Sequence, residues 1–118
     1  MGDWGKFMSF YINDVEVPVS TYNSYIRQSI NKVFKILPIY EDCEQQKNFK
    51  YFKSYLDKLI TMFTGSEILF NQRDFIDLIS ILKGLQETSD LNKSKTKSIV
   101  FHCINILDRL KVENTEEA

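Results

Sequence analysis

Residues Lys47 to Phe63 read KNFKYFKSYLDKLITMF, and this stretch decides the fold. Phe49, Phe52, Leu56, Leu59, Ile60 and Phe63 recur at spacings of three and four, which puts them on one side of a helix; a strand would need strict alternation. Tyr51, Tyr55 and Met62 form a second stripe beside the first. The apolar arc covers about half the circumference, wider than the roughly 100° stripe of an ordinary surface helix. Such a helix must be covered on two sides. Either other helices of the chain supply both covers, or the second stripe is left for another molecule. Tyrosine and methionine suit the latter use, the first as rigid area with a polar tip, the second as an adaptable filler.

Toward the N-terminus, Tyr22, Ile26, Ile30, Val33, Phe34 and Leu37 repeat on one face of a first helix, with Ser20 or Thr21 placed to cap it. Pro38 lacks a backbone donor and disfavours the helical conformation at Leu37, so the helix is expected to stop there. Ile39 to Gln46 carries Glu41, Asp42 and Glu44 and reads as an acidic connector, its carboxylates favouring the positive start of the next helix. Earlier still, Lys6 to Val19 alternates. Met8, Phe10 and Ile12 precede Asn13-Asp14, and Val15, Val17 and Val19 follow, the pattern of a β-hairpin with Pro18 on an edge strand. A lone hairpin is marginal in water, so this one is expected to lie on the helices.

Beyond Phe63, Thr64-Gly65-Ser66 reads as the end of the central helix, with Gly65 as a left-handed cap, and Glu67 to Phe70 as a short connector. Asn71 with Asp74 resembles a capping pair. Phe75, Ile76, Leu78, Ile79, Ile81, Leu82 and Leu85 then make a third helix apolar round well over half its circumference, expected to be the most buried. Gly84 lies on its polar side, and the pattern gives no reason for it. Glu87 to Lys97 is a polar connector with Ser89-Asp90 as a candidate cap. Lysines oppose a helix's positive start, so the fourth helix is expected to begin late, at Thr96 or Ser98. Ile99, Val100, Cys103, Ile104, Ile106, Leu107 and Leu110 form its core face, and Phe101 points away.

The expected fold class is therefore mainly α. A four-helix bundle over 20–112 carries an N-terminal two-stranded β-hairpin over 6–19 and a frayed acidic tail over 113–118. One domain of 118 residues is long enough to bury a core without disulfides or metals. Fifteen basic and sixteen acidic side chains nearly cancel, which argues against a dedicated nucleic-acid binder. Cys43 and Cys103 stand alone, as reduced intracellular thiols do. The N-terminus has no signal-peptide pattern and no apolar run reaches membrane-spanning length, so a cytoplasmic protein without membrane contact is expected.

No motif for catalysis, cofactor or metal binding, or a small-molecule substrate is legible. His102 has no second imidazole or carboxylate at ligand spacing. Glu41, Asp42 and Glu44 lack the glycine and alternating ligands of a calcium loop. The four glycines make no phosphate cradle. The expectation is a non-catalytic protein-interaction module, an accessory subunit whose Tyr51, Tyr55, Met62 and Phe101 meet a larger protein or a second copy. An inhibitor or immunity-type protein that binds a target enzyme is one alternative. Another is a weak nucleic-acid-binding subunit that uses Lys93, Lys95 and Lys97. In style, being compact, helical and rich in lysine, asparagine and isoleucine, the chain resembles accessory subunits of microbial defence systems, phages and mobile elements.

Overall fold

The computed structural model describes residues 9–12, 15–70 and 72–111, with side chains over 17–68 and 72–111. Two short strands, β1 (Ser9–Ile12) and β2 (Val15–Pro18), precede the helical segments α1 (Val19–Phe34), α2 (Ile36–Gln46), α3 (Lys50–Phe70), α4 (Arg73–Glu87) and α5 (Lys93–Leu110). The chain is mainly helical, and α1 with α2 forms one arm of a four-helix arrangement. Going round it, α3 packs on α4, α4 on α5, α5 on both α1 and α2, and α2 returns to α3. Ile26, Val33, Ile36, Phe52, Leu56, Phe63, Phe75, Leu82, Cys103 and Leu107 fill the centre, each essentially without solvent contact.

The expected stop at Leu37 is not found: α1 ends at Phe34 and the chain continues as helix α2 through Pro38. Lys35 keeps helical dihedrals, its N–H reaches Asn31 O, and Ile39 N–H reaches Lys35 O at 3.2 Å. Pro38 falls in the first turn of α2, where a missing N–H costs little. In an unbroken helix its ring would press on the carbonyl four residues back, that of Phe34, and α1 ends at Phe34. The acidic connector is thus helix α2. Ile36, Tyr40 and Cys43 supply its buried stripe at i, i+4 and i+7, while Glu41, Asp42 and Glu44 face water. Tyr40 fixes α2 to the start of α3, its ring centroid 5.6 Å from that of Phe49 and 5.7 Å from that of Phe52.

Between α2 and α3 the chain turns through Lys47, left-handed at φ 54°. Lys47 N–H bonds Glu44 O and Asn48 N–H bonds Cys43 O, the paired closure of a Schellman motif. The Asn48 side chain then accepts from Lys50 N–H, so α3 starts at Lys50 and not Lys47.

At its other end α3 runs through Thr64-Gly65-Ser66 to Phe70, and Gly65 has no positive φ. The hydroxyls of this polar triplet are satisfied by the helix itself, Thr64 Oγ1 on Ile60 O at 2.7 Å and Ser66 Oγ on Met62 O at 3.0 Å. Ser66 is buried and also hydrogen-bonds Tyr25 of α1.

α4 is less enclosed than its composition suggests. Phe75, Leu78, Leu82 and Leu85 are buried, Ile79 and Ile81 are half-buried, and Ile76 is exposed. Gln72 precedes α4 without a side-chain capping bond, and Asn71 lies outside the described residues. α5 begins at Lys93, earlier than expected. Asn92 caps it by accepting from Lys95 N–H at 2.8 Å, and Glu41 offsets the Lys93 charge at 3.0 Å. β1 and β2 pair antiparallel, Phe10 opposite Val17 and Ile12 opposite Val15. Val17 packs against the helical core. The strand ends at extended Pro18, so Ser20 and Thr21 lie inside α1 and do not cap it. The rest of the expected hairpin, Lys6 to Met8 and Asn13-Asp14, and the 113–118 tail lie outside the described residues.

Candidate interaction surfaces

The second stripe of α3 follows the helical spacing of its residues and borders α1. Its three members fare differently. Tyr55 is half-buried and donates its hydroxyl to Lys32 O at 2.6 Å. Burial first, and the neighbouring Tyr51 second, raise the Tyr55 phenol above its ordinary range. Met62 is half-buried, with Lys32 Nζ donating to its sulfur at 3.8 Å. Tyr51 stays 58% exposed, its ring 6.5 Å from that of Tyr55. Tyr55 and Met62 therefore belong partly to the α1–α3 seam, and Tyr51 alone presents most of its surface outward.

Phe101 does not join this stripe. It packs edge-to-face on Phe34 at 5.7 Å across the α1–α5 seam. Lys32 and Tyr25 face α3 from one flank of α1, and Phe34 faces α5 from the other. The body of α1 therefore separates Phe101 from the α3 stripe. Phe34 was expected in the core, yet it is 46% exposed, and Phe101 is 40% exposed. In the helical projection Phe34 lies at the edge of its apolar arc, a signal that periodicity counts as core unless position within the arc is weighed. Ile68, in the last turn of α3, and Ile76 are exposed apolar side chains, although local pattern assigns the first to a connector and the second to a core face.

The lysines divide as well. Lys53 serves the fold: its Nζ donates to Gln86 O at 2.7 Å, in the last turn of α4, where carbonyls lack helical partners. Gln86 Nε2 returns a bond to Lys53 O at 3.2 Å and another to Asp57. Of the basic trio, Lys93 and Lys97 are one turn apart on the flank of α5 that meets α1 and α2, as the Lys93–Glu41 pair shows. Lys95 projects from the opposite flank. The three are exposed but do not form one row.

His102 is exposed, and among the described residues no group of three metal-ligating side chains converges. Cys43 and Cys103 are free and buried, and burial pushes the Cys103 thiol up to about 12, far from a reactive thiolate. Among the described residues no helix is long and apolar enough to cross a membrane. No protein-family model, no curated protein and no solved structure matches the chain.

Proposed function

We propose that this chain is a non-catalytic interaction module, an accessory subunit that meets a larger protein through the outward flank of α3. The observation that carries the reading is Tyr51, an aromatic side chain 58% exposed on a helix whose other face anchors the core. A tyrosine held on a rigid helix loses little entropy on binding and supplies both area and a hydroxyl, which makes it a frequent binding hot spot. Tyr55 and Met62 support it from behind by tying α3 to α1.

The test is Tyr51→Ser alone, because changing Tyr55 would also remove a bond between helices. Partner capture from the native host is expected to fall about tenfold or more while the melting temperature holds. Equal capture by the variant overturns the reading. Light scattering of the isolated chain separates two forms of the proposal. A constitutive subunit self-associates when alone, whereas an inhibitor-like protein stays monomeric.

A further inference from the structure

The near-neutral total charge hides a segregation that only the fold reveals. α1 and Lys35 carry Arg27, Lys32 and Lys35 and no carboxylate; α5 carries four basic side chains and one carboxylate, Asp108, with Lys32 turned to α3 and Lys95 to the far flank of α5. These two helices pack side by side. The other acidic residues lie outside these two helices, although Glu41 reaches α5 at Lys93: α2 has three carboxylates and no cation, and in α3 and α4 the two signs are mixed. Asp108 is itself engaged by Lys111 at 3.2 Å. Among the described residues Lys35 and Lys97 form no ion pair.

At the middle of this cationic face sit Phe34 and Phe101. The ion pair Lys93–Glu41 and the ring pair Phe34–Phe101 show that the α1–α2 arm runs antiparallel to α5. Lys97 is one turn before Phe101 on α5, and Lys35 is next to Phe34. Arg27 is seven residues before Phe34, on the same flank of α1 and exposed. Around the rings lie these cations, polar side chains and the half-buried Ile30, Leu37 and Ile104, with the carboxylate of Asp108 seven residues after Phe101 on the same flank of α5. Protein interfaces of ordinary size need a wider apolar centre, roughly 800 Å² per partner in all. Two half-exposed phenyls among cations instead match the parts that hold an unpaired strand: rings for stacking, ammonium and guanidinium groups for phosphates.

We infer that the α1–α5 face binds single-stranded nucleic acid, with Phe34 and Phe101 against the bases and Arg27, Lys35 and Lys97 against the phosphates. The site lies across α1 from Tyr51, so it is independent of the protein-binding flank. It differs from the Lys93–Lys95–Lys97 run read from the sequence, because Lys95 points away and α1 supplies half of the site.

Fluorescence polarisation of the full chain with labelled oligo-dT and oligo-rU of about 20 nucleotides tests this. Binding is expected to weaken steeply between about 50 and about 200 mM salt. Lys35→Gln with Lys97→Gln should flatten that salt slope. Phe34→Leu and Phe101→Leu keep the apolar contact between the helices and remove the stacking surface; each should weaken binding about tenfold with an unchanged slope. Tyr51→Ser should leave oligonucleotide binding intact. No salt-sensitive binding of either oligonucleotide overturns the inference. So does binding that ignores both leucine substitutions and is competed equally, charge for charge, by poly-L-glutamate, since that marks a surface for acidic proteins.

Discussion

At the scale of single residues, two positions are held in conformations or surroundings that their chemistry does not favour. Lys47 adopts the left-handed conformation that closes α2, where a side chain with a Cβ is strained and glycine is not. Lys47→Gly is expected to raise stability by about 0.5 kcal/mol, the relief of strain being partly offset by the greater freedom of glycine in the unfolded chain. Urea denaturation checks it, and a loss of stability would mean that the lysine side chain makes a contact worth more than the strain. Thr96 is the second position. It is fully buried at the start of α5, and its hydroxyl oxygen has no hydrogen-bond partner among the described residues. Thr96→Val keeps the shape and removes the unsatisfied hydroxyl, so a gain of about 1 kcal/mol is expected in the same assay. Were a hidden partner satisfying Thr96, valine would cost stability instead.

At the scale of elements, the two helical glycines act alike. Gly65 and Gly84 lie inside α3 and α4 without positive φ, and a Cβ at either would meet nothing within 4 Å. Neither is a cap or a close-packing site. Gly65→Ala and Gly84→Ala should therefore each stabilise by about 0.5–1 kcal/mol, additively, as read from shifts in the denaturation midpoint. Failure of Gly65→Ala alone would point to a break in α3 in solution. Gly65 also shows where the sequence was legible and where it was not. The buried stripe of α3, Phe52, Leu56, Leu59 and Phe63, follows directly from spacing, because burial repeats with the helical period. The ends of elements do not. A glycine, a proline or a lysine run is a local signal, and the contacts around it decide where the helix ends. Ser66 and Thr64 bond back along their own helix, Tyr40 packs on Phe49 and Phe52, and Asn92 caps a helix that begins with lysine. The candidate surfaces were legible only as exposed or buried flanks of single helices. That Phe101 meets Phe34 and stands apart from Tyr51 depends on which helices are neighbours, information that periodicity does not carry.

At the scale of the whole molecule, charge and burial are separated. Arg27, Lys35 and Lys97 line the α1–α5 face, while several groups that titrate in alkali are buried or half-buried as neutral species. Cys103 in the centre of α5 is held as a thiol by burial, its value pushed up to about 12 from an ordinary 9.0. Burial likewise raises the phenols of Tyr22, Tyr40 and Tyr55, with Asp74 adding to the effect at Tyr22 and Glu44 at Tyr40. Above its ordinary value a thiol loses its proton in the unfolded chain and keeps it in the folded one, so the unfolded state gains. The stability tied to Cys103 is therefore complete below about pH 9 and falls as pH rises toward 12, with a limiting slope of about 1.4 kcal/mol per pH unit. The tyrosines add to the decline only above their ordinary 10.0. Cys103→Ala separates the two contributions. It should cost a roughly constant 1–2 kcal/mol for the cavity near neutral pH. Between about pH 8 and about pH 10 its stability should decline less than that of the parent chain, so the difference between the two narrows as alkali is added. Urea midpoints measured across that interval decide the matter. Parallel curves would mean that the folded chain already exposes the Cys103 thiol to water, and α5 would then not be the closed wall of the core that its neighbours make it.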